Sequence, residues 1–204
     1  MFKLYLLGGE YLKKRDSKEI NQKAFTDAGK DPLILVFPWT REKENKEYRK
    51  VMNKYFKDLG AGEVKYVELT DSLKIIKEKM ESSDLIYLPG GDSKLLIKRL
   101  KKVDSLIKNY NKVIIGNSAG AHALCKKFIG MKGRDGREEN EILPGMDLID
   151  FAIVVHYEDK HAKDLVKISD KLNMPIYAIP EQCALVYENK KIELIGKVKL
   201  FKKG

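Results

Sequence analysis

The sequence predicts an α/β protein: a doubly wound, mostly parallel sheet flanked by helices, in a single domain over residues 1–204. Three observations predict it. Short apolar runs alternate with charged segments of helical period. The runs are continuously apolar, as strands covered on both faces are. Several end in glycine, as at Gly8-Gly9, Gly90-Gly91 and Gly116, and the carboxyl ends of such strands are where open parallel sheets bind ligands.

Taken in order, "FKLYLL" (Phe2 to Leu7) reads as a strand ending at Gly8-Gly9, and a polar helix is expected over Ser17 to Ala28. "PLILVFP" is a second strand bounded by Pro32 and Pro38. Residues Glu42 to Leu59 suit an amphipathic helix, because Tyr48, Val51, Met52, Tyr55, Phe56 and Leu59 recur at spacings of three and four. "EVKYVEL" (Glu63 to Leu69) is a third strand, and a helix over Leu73 to Met80 follows. "DLIYLPGGD" (Asp84 to Asp92) is a fourth strand with a Gly-Gly turn. "DSKLLIKRL" then starts a helix with Asp92 or Ser93 as N-cap. "KVIIGNSAG" (Lys112 to Gly120) is the fifth strand and its opening turn. Strands separated by helices imply right-handed crossovers.

After Cys125 a glycine-rich, charged stretch without a long period runs to "FAIVVHYED", a buried strand ending at His156. A helix is expected over Lys160 to Leu172, then short strands with a hairpin turn at Glu188-Asn189-Lys190.

The chain has 204 residues, 43% apolar and 34% charged, with a net charge of +10. The lysines are interleaved with glutamates, as in "TREKENKEYRK", and no aromatic-studded basic stripe appears. The charge therefore reads as a solvated surface, and neither nucleic acid nor a membrane is the expected partner. Cys125 and Cys183 sit in apolar surroundings and suggest buried free thiols, with no metal-ligand spacing. "MFKLYLL" is too short for a signal peptide, and no apolar run approaches the roughly 20 residues of a membrane span. A cytoplasmic protein is expected.

Gly116-Asn117-Ser118-Ala119-Gly120 fits G-x-S-x-G, in which a nucleophile sits in a sharp strand-to-helix turn that bulky neighbours would obstruct. The alternative is a tight turn whose small residues allow close packing. Ser118 needs a base. His122 lies on the following helix and packs locally, while His161 falls at a charged helix start and suits a solvated role. His156 closes an apolar strand and is the favoured base. Three acids could orient it: Glu181 among apolar neighbours in "AIPEQCAL", Glu158 two residues after His156, and Asp135 in "KGRDGREE". The helix N-terminus after Ser118 and the N–H of Gly91 are candidate oxyanion donors.

"IYLPGGDSKLL", "IIGNSAGAHALC", "VVHYED" and "AIPEQCALV" occur in that order. Together they resemble peptidase family S51, which contains aspartyl dipeptidase (peptidase E) and cyanophycinase. The resemblance implies the class I glutamine amidotransferase-like fold, a three-layer α/β sandwich. It implies Ser118 as nucleophile, His156 as base, and Gly91 and Ala119 as oxyanion donors. Pro180-Glu181 matches a family glutamate, and Asp135 falls where peptidase E has its proposed aspartate; Glu181 is favoured. The implied activity is hydrolysis of small peptides, Asp-Xaa dipeptides among them, through an acyl-enzyme and with no cofactor or metal. The implied partner is a small peptide, and a homodimer stays open.

The chain departs from the family in three ways. Asn117 precedes the serine where peptidase E has Trp or a similar residue. The last arginine is Arg137, upstream of His156, which leaves Lys160 or Lys163 to replace the arginine that follows the histidine in peptidase E. The chain is also shorter than cyanophycinase. The missing arginine motivates an alternative reading, a binding or regulatory member of the fold without catalysis.

Overall fold

A computed structural model describes residues 2–43 and 46–202. The expected elements form, in two sheets. The larger has seven strands: β1 (Lys3–Leu7), β2 (Leu33–Val36), β3 (Glu63–Tyr66), β4 (Leu85–Leu88), β5 (Val113–Asn117), β10 (Ala184–Glu188) and β11 (Lys191–Ile195). Their spatial order is β11-β10-β1-β5-β4-β2-β3, and the five strands from β1 to β3 are parallel. The smaller sheet, ordered β12-β9-β8-β6-β7, comprises β6 (Cys125–Gly130), β7 (Glu141–Pro144), β8 (Ile149–Val155), β9 (Ile176–Ile179) and β12 (Lys199–Phe201).

Helices α1 (Lys18–Ala28) and α2 (Lys46–Asp58) cover one face of the large sheet. Tyr5, Leu7, Ile34, Val36, Tyr87 and Ile115 point to them and meet Phe25, Met52 and Phe56. Phe56 stands edge-on to Tyr87 at 4.9 Å; burying such a ring is worth about 1.5–3 kcal/mol. The expected helix over Glu42 to Leu59 is described from Lys46, and residues 44 and 45 lie outside the described residues.

The alternate residues Leu4, Leu6, Leu35, Ile86, Leu88 and Ile114 face the other way. They pack with α3 (Leu73–Glu81), α4 (Ser93–Leu100), α5 (Asp104–Lys108) and α6 (Ala119–Leu124), and with Phe128, Phe151 and Ile153 of the small sheet. The small sheet turns its opposite face, with Ile129, Ala152, Val154 and Ala178, to α7 (Ala162–Leu172) and its Leu165. Among the described residues no helix is long and apolar enough to cross a membrane.

The hairpin joining β10 to β11 turns at Asn189 and Lys190, both at positive φ (49° and 63°), the backbone of a tight two-residue hairpin loop. Two strands differ from the sequence reading. β6 and β7 lie in the stretch without a long period, because β6 carries two lysines and β7 is an edge strand with no fully buried residue. β7 pairs with β6, and β6 with β8, to make the second sheet, so His156 arises from a sheet other than that of Ser118.

Candidate active site

The parallel register sets Leu7 beside Asn117 and Leu88 beside Gly116. Gly8-Gly9, Gly90-Gly91 and Ser118 therefore emerge at one level, at the carboxyl ends of β1, β4 and β5. In the small sheet Val155 pairs with Ile179, which brings His156 and Glu181 out together. The sheets join at the glycine pair. The Gly8 carbonyl accepts from the His156 N–H at 2.9 Å, the Gly9 carbonyl accepts from the Gln182 N–H at 3.2 Å, and the Gly8 N–H donates to Cys183 at 3.0 Å.

Ser118 has φ 51° and ψ −104°, a strained backbone for a residue with a side chain. Its N–H donates to Leu7 at 3.1 Å, and its carbonyl accepts from His122 at 3.0 Å. The turn is sharp, and its small residues also allow close packing. A Cβ on Gly120 would meet the Leu88 carbonyl oxygen at 2.0 Å, and one on Gly116 would meet Gly120 at 2.6 Å. The glycines let α6 press onto the sheet while the turn holds the serine out.

Ser118 Oγ lies 2.6 Å from His156 Nε2, and His156 Nδ1 is hydrogen-bonded to Glu181 Oε1. A serine, an imidazole and a carboxylate thus form one chain, the arrangement that activates a hydroxyl and stabilises the imidazolium that follows. His156 also has positive φ, 53°.

The other two acids pair with cations. Asp135 accepts from Arg137 at 2.7 Å, with its side chain largely exposed. Glu158 pairs with Lys160 at 2.8 Å, and Lys160 chiefly holds its carboxyl below the usual range.

The other histidines stay apart from this chain. His122 packs locally, as expected: its ring stacks on Phe128 at 4.2 Å and its Nδ1 lies 2.9 Å from Ser93 Oγ. His161 corrects its expected solvated role. It is buried, with Nδ1 accepting from the Glu158 N–H at 3.3 Å, so it closes the turn before α7. Cys125 and Cys183 are buried free thiols.

Gly91 takes φ 142°, and a Cβ there would lie 2.7 Å from Thr40 Cβ. Thr40, buried and not singled out by its sequence context, braces the turn: its hydroxyl donates to the Gly90 carbonyl at 3.0 Å and its carbonyl accepts from Asp92 at 3.1 Å. Ala119 opens α6, where a helix N–H has no partner within the helix.

A cavity of about 520 Å³ opens over these groups; Gly90, Gly91, Asn117, Ser118, His156 and Glu181 line it. Its cations are Arg134, Arg41 and Lys13, in place of the expected Lys160 or Lys163. Arg134 donates to the His156 carbonyl at 3.3 Å. Its sequence position, 22 residues before that histidine, concealed it. Asp135 lines the cavity too, as does Glu10. Burial raises the Glu10 pKa, against the hydrogen bonds from Tyr55 and Asn21, which lower it.

The model of peptidase family S51 matches residues 4–195. An uncharacterised peptidase of Listeria monocytogenes is 30% identical over 106 residues, 48% of this chain and 52% of that protein. The chain thus matches about half the length of that relative. The crystal structure of a peptidase from an acI-B1 Actinobacterium superposes with a TM-score of 0.71 at 20% identity, covering 100% of this chain and 95% of that one. A candidate peptidase E protein from Listeria monocytogenes EGD-e gives 0.68 at 22% identity, covering 95% and 98%. These two likenesses show a shared three-layer α/β fold.

Proposed function

The chain belongs to peptidase family S51, and from that membership we propose that it is a serine peptidase hydrolysing amide bonds in small peptides. The observation that carries the proposal is the hydrogen-bonded chain from Ser118 through His156 to Glu181 at the wall of a cavity. Ser118 Oγ attacks the scissile carbonyl carbon while His156 Nε2 takes the hydroxyl proton. Glu181 stays ionised and holds the imidazole by Nδ1. The Gly91 and Ala119 N–H groups receive the oxyanion. The C–N bond breaks as His156 returns the proton to the leaving amine, and an ester to Ser118 remains. A water then loses its proton to His156, attacks the ester and releases the carboxylic acid, and the proton goes back to Ser118.

Arg134, Arg41 and Lys13 line the cavity together with Glu10, Asp135 and Glu181, so both charges of a zwitterionic peptide have counterparts there, and Asp-Xaa dipeptides are the first to assay. The reading as an inactive binding protein loses its motivation, because Arg134 supplies the guanidinium from upstream of the histidine.

The test is a dipeptide panel assayed beside labelling with a fluorophosphonate. Wild-type protein should be labelled at Ser118 and cleave members of the panel; Ser118→Ala should do neither. Full activity in Ser118→Ala, or no labelling of the wild type even at alkaline pH, would sink the proposal.

A further inference from the structure

Glu10 is not accounted for by the chemistry above. It follows directly on Gly9, whose Cα lies against His156 and Glu181, and it lines the same cavity as Ser118. Its carboxylate is fixed from behind. Tyr55 donates its hydroxyl to Oε1 at 2.6 Å, and the Asn21 amide donates to both oxygens at 2.9 Å. Asn21 and Tyr55 also bond to each other at 3.0 Å, and both are buried. The three groups form a rigid set that holds a negative charge at the cavity wall.

Among the described residues no cation comes within ion-pair distance of Glu10. Of the cations near it, Arg15 pairs with Asp58 and Arg41 lies over the Tyr48 ring at 4.7 Å. A half-buried carboxylate on a cavity wall, with no cation paired to it, is stable only at a cost unless a ligand completes it.

The geometry points to Glu10 as a cation subsite of the catalytic cavity, taking an ammonium group of the substrate. An ammonium brings the charge and the N–H donors that this carboxylate lacks. The site is placed for an ammonium belonging to a short peptide whose scissile carbonyl lies at Ser118. Two sources share that chemistry, the free α-amine and a lysine-like side chain. The inference rests on the peptidase reading for what is bound, and its test does not depend on turnover.

Three probes should be titrated into Ser118→Ala by calorimetry: alanyl-alanine amide, its N-acetyl form, and N-acetyl-lysyl-alanine amide. Binding of the free amine at least tenfold tighter than the acetylated form, with that ratio falling toward one in Ser118→Ala/Glu10→Gln, is the expected result. Tighter binding of the acetylated lysyl probe alone would assign the subsite to a side-chain ammonium instead. Equal binding of all three probes, or none by any, overturns the inference. If the Glu10→Gln protein fails to fold, the comparison of probes on Ser118→Ala alone decides the question. Absence of hydrolysis by the wild type would sink the peptidase reading while leaving the probe comparison standing; equal binding beside normal hydrolysis would do the reverse.

Discussion

Gly9 lies directly against His156. A Cβ on Gly9 would fall 2.5 Å from the imidazole Cε1 and 2.1 Å from Glu181 Oε2. The neighbouring Gly8 faces backbone instead, with the Pro180 carbonyl oxygen 2.0 Å from its missing Cβ. The two glycines therefore exclude side chains for different reasons.

The pair should separate activity from stability. Gly9→Ala pushes on two side chains that can shift, so it should fold and lose about 10²-fold in kcat/KM, the scale of a 1 Å misplacement. Gly8→Ala pushes on backbone at the junction of the sheets and should cost about 1–3 kcal/mol or more in urea unfolding. Equal stability losses in both variants would contradict this division.

The Ser118 backbone carries strain that glycine would not. Ser118→Gly should abolish hydrolysis yet raise unfolding free energy by about 1 kcal/mol. Ser118→Ala, which keeps a Cβ at φ 51°, should abolish hydrolysis without that gain. Thermal melts of the three proteins side by side are the measurement.

The acid assignment is tested by three substitutions. Glu181→Gln removes the charge that stabilises the imidazolium and should lower kcat by about 10²–10⁴-fold. Asp135→Asn and Glu158→Gln alter carboxylates already paired with Arg137 and Lys160 and should change kcat less than about tenfold. A collapse in Asp135→Asn with Glu181→Gln still active would reverse the assignment.

His122 links stability to pH. Burial, with smaller contributions from His156, Arg137 and Arg134, pushes its pKa down to about 3, against about 6.5 in the unfolded chain. The unfolded state therefore binds the extra proton between those values. The stabilisation is complete above pH 6.5 and is lost as pH falls toward 3, at about 1.4 kcal/mol per unit. His122→Asn keeps a polar partner for Ser93 and cannot titrate in this range. Its unfolding free energy should fall less steeply than that of the wild type between pH 6.5 and 4.5. Parallel slopes would rule the contribution out.

By itself the sequence determined the order of most elements, the glycine-marked strand ends, the strained setting of Ser118, and Ser118 and His156 as candidates with three possible acids, Glu181 favoured. Those features are local: apolar period, turn chemistry and small residues at fixed spacing reveal them. The tertiary structure decided the rest. β6 and β7 find their partners only across the chain, in β8 and in each other, so neither leaves a clear period. Glu181 reaches His156 because β8 and β9 run parallel in register, while the Asp135 and Glu158 carboxylates turn to nearby cations. Arg134 and Glu10 enter the cavity from loops distant in sequence. Hydrogen bonding and desolvation depend on distance in space, and only the folded chain sets those distances.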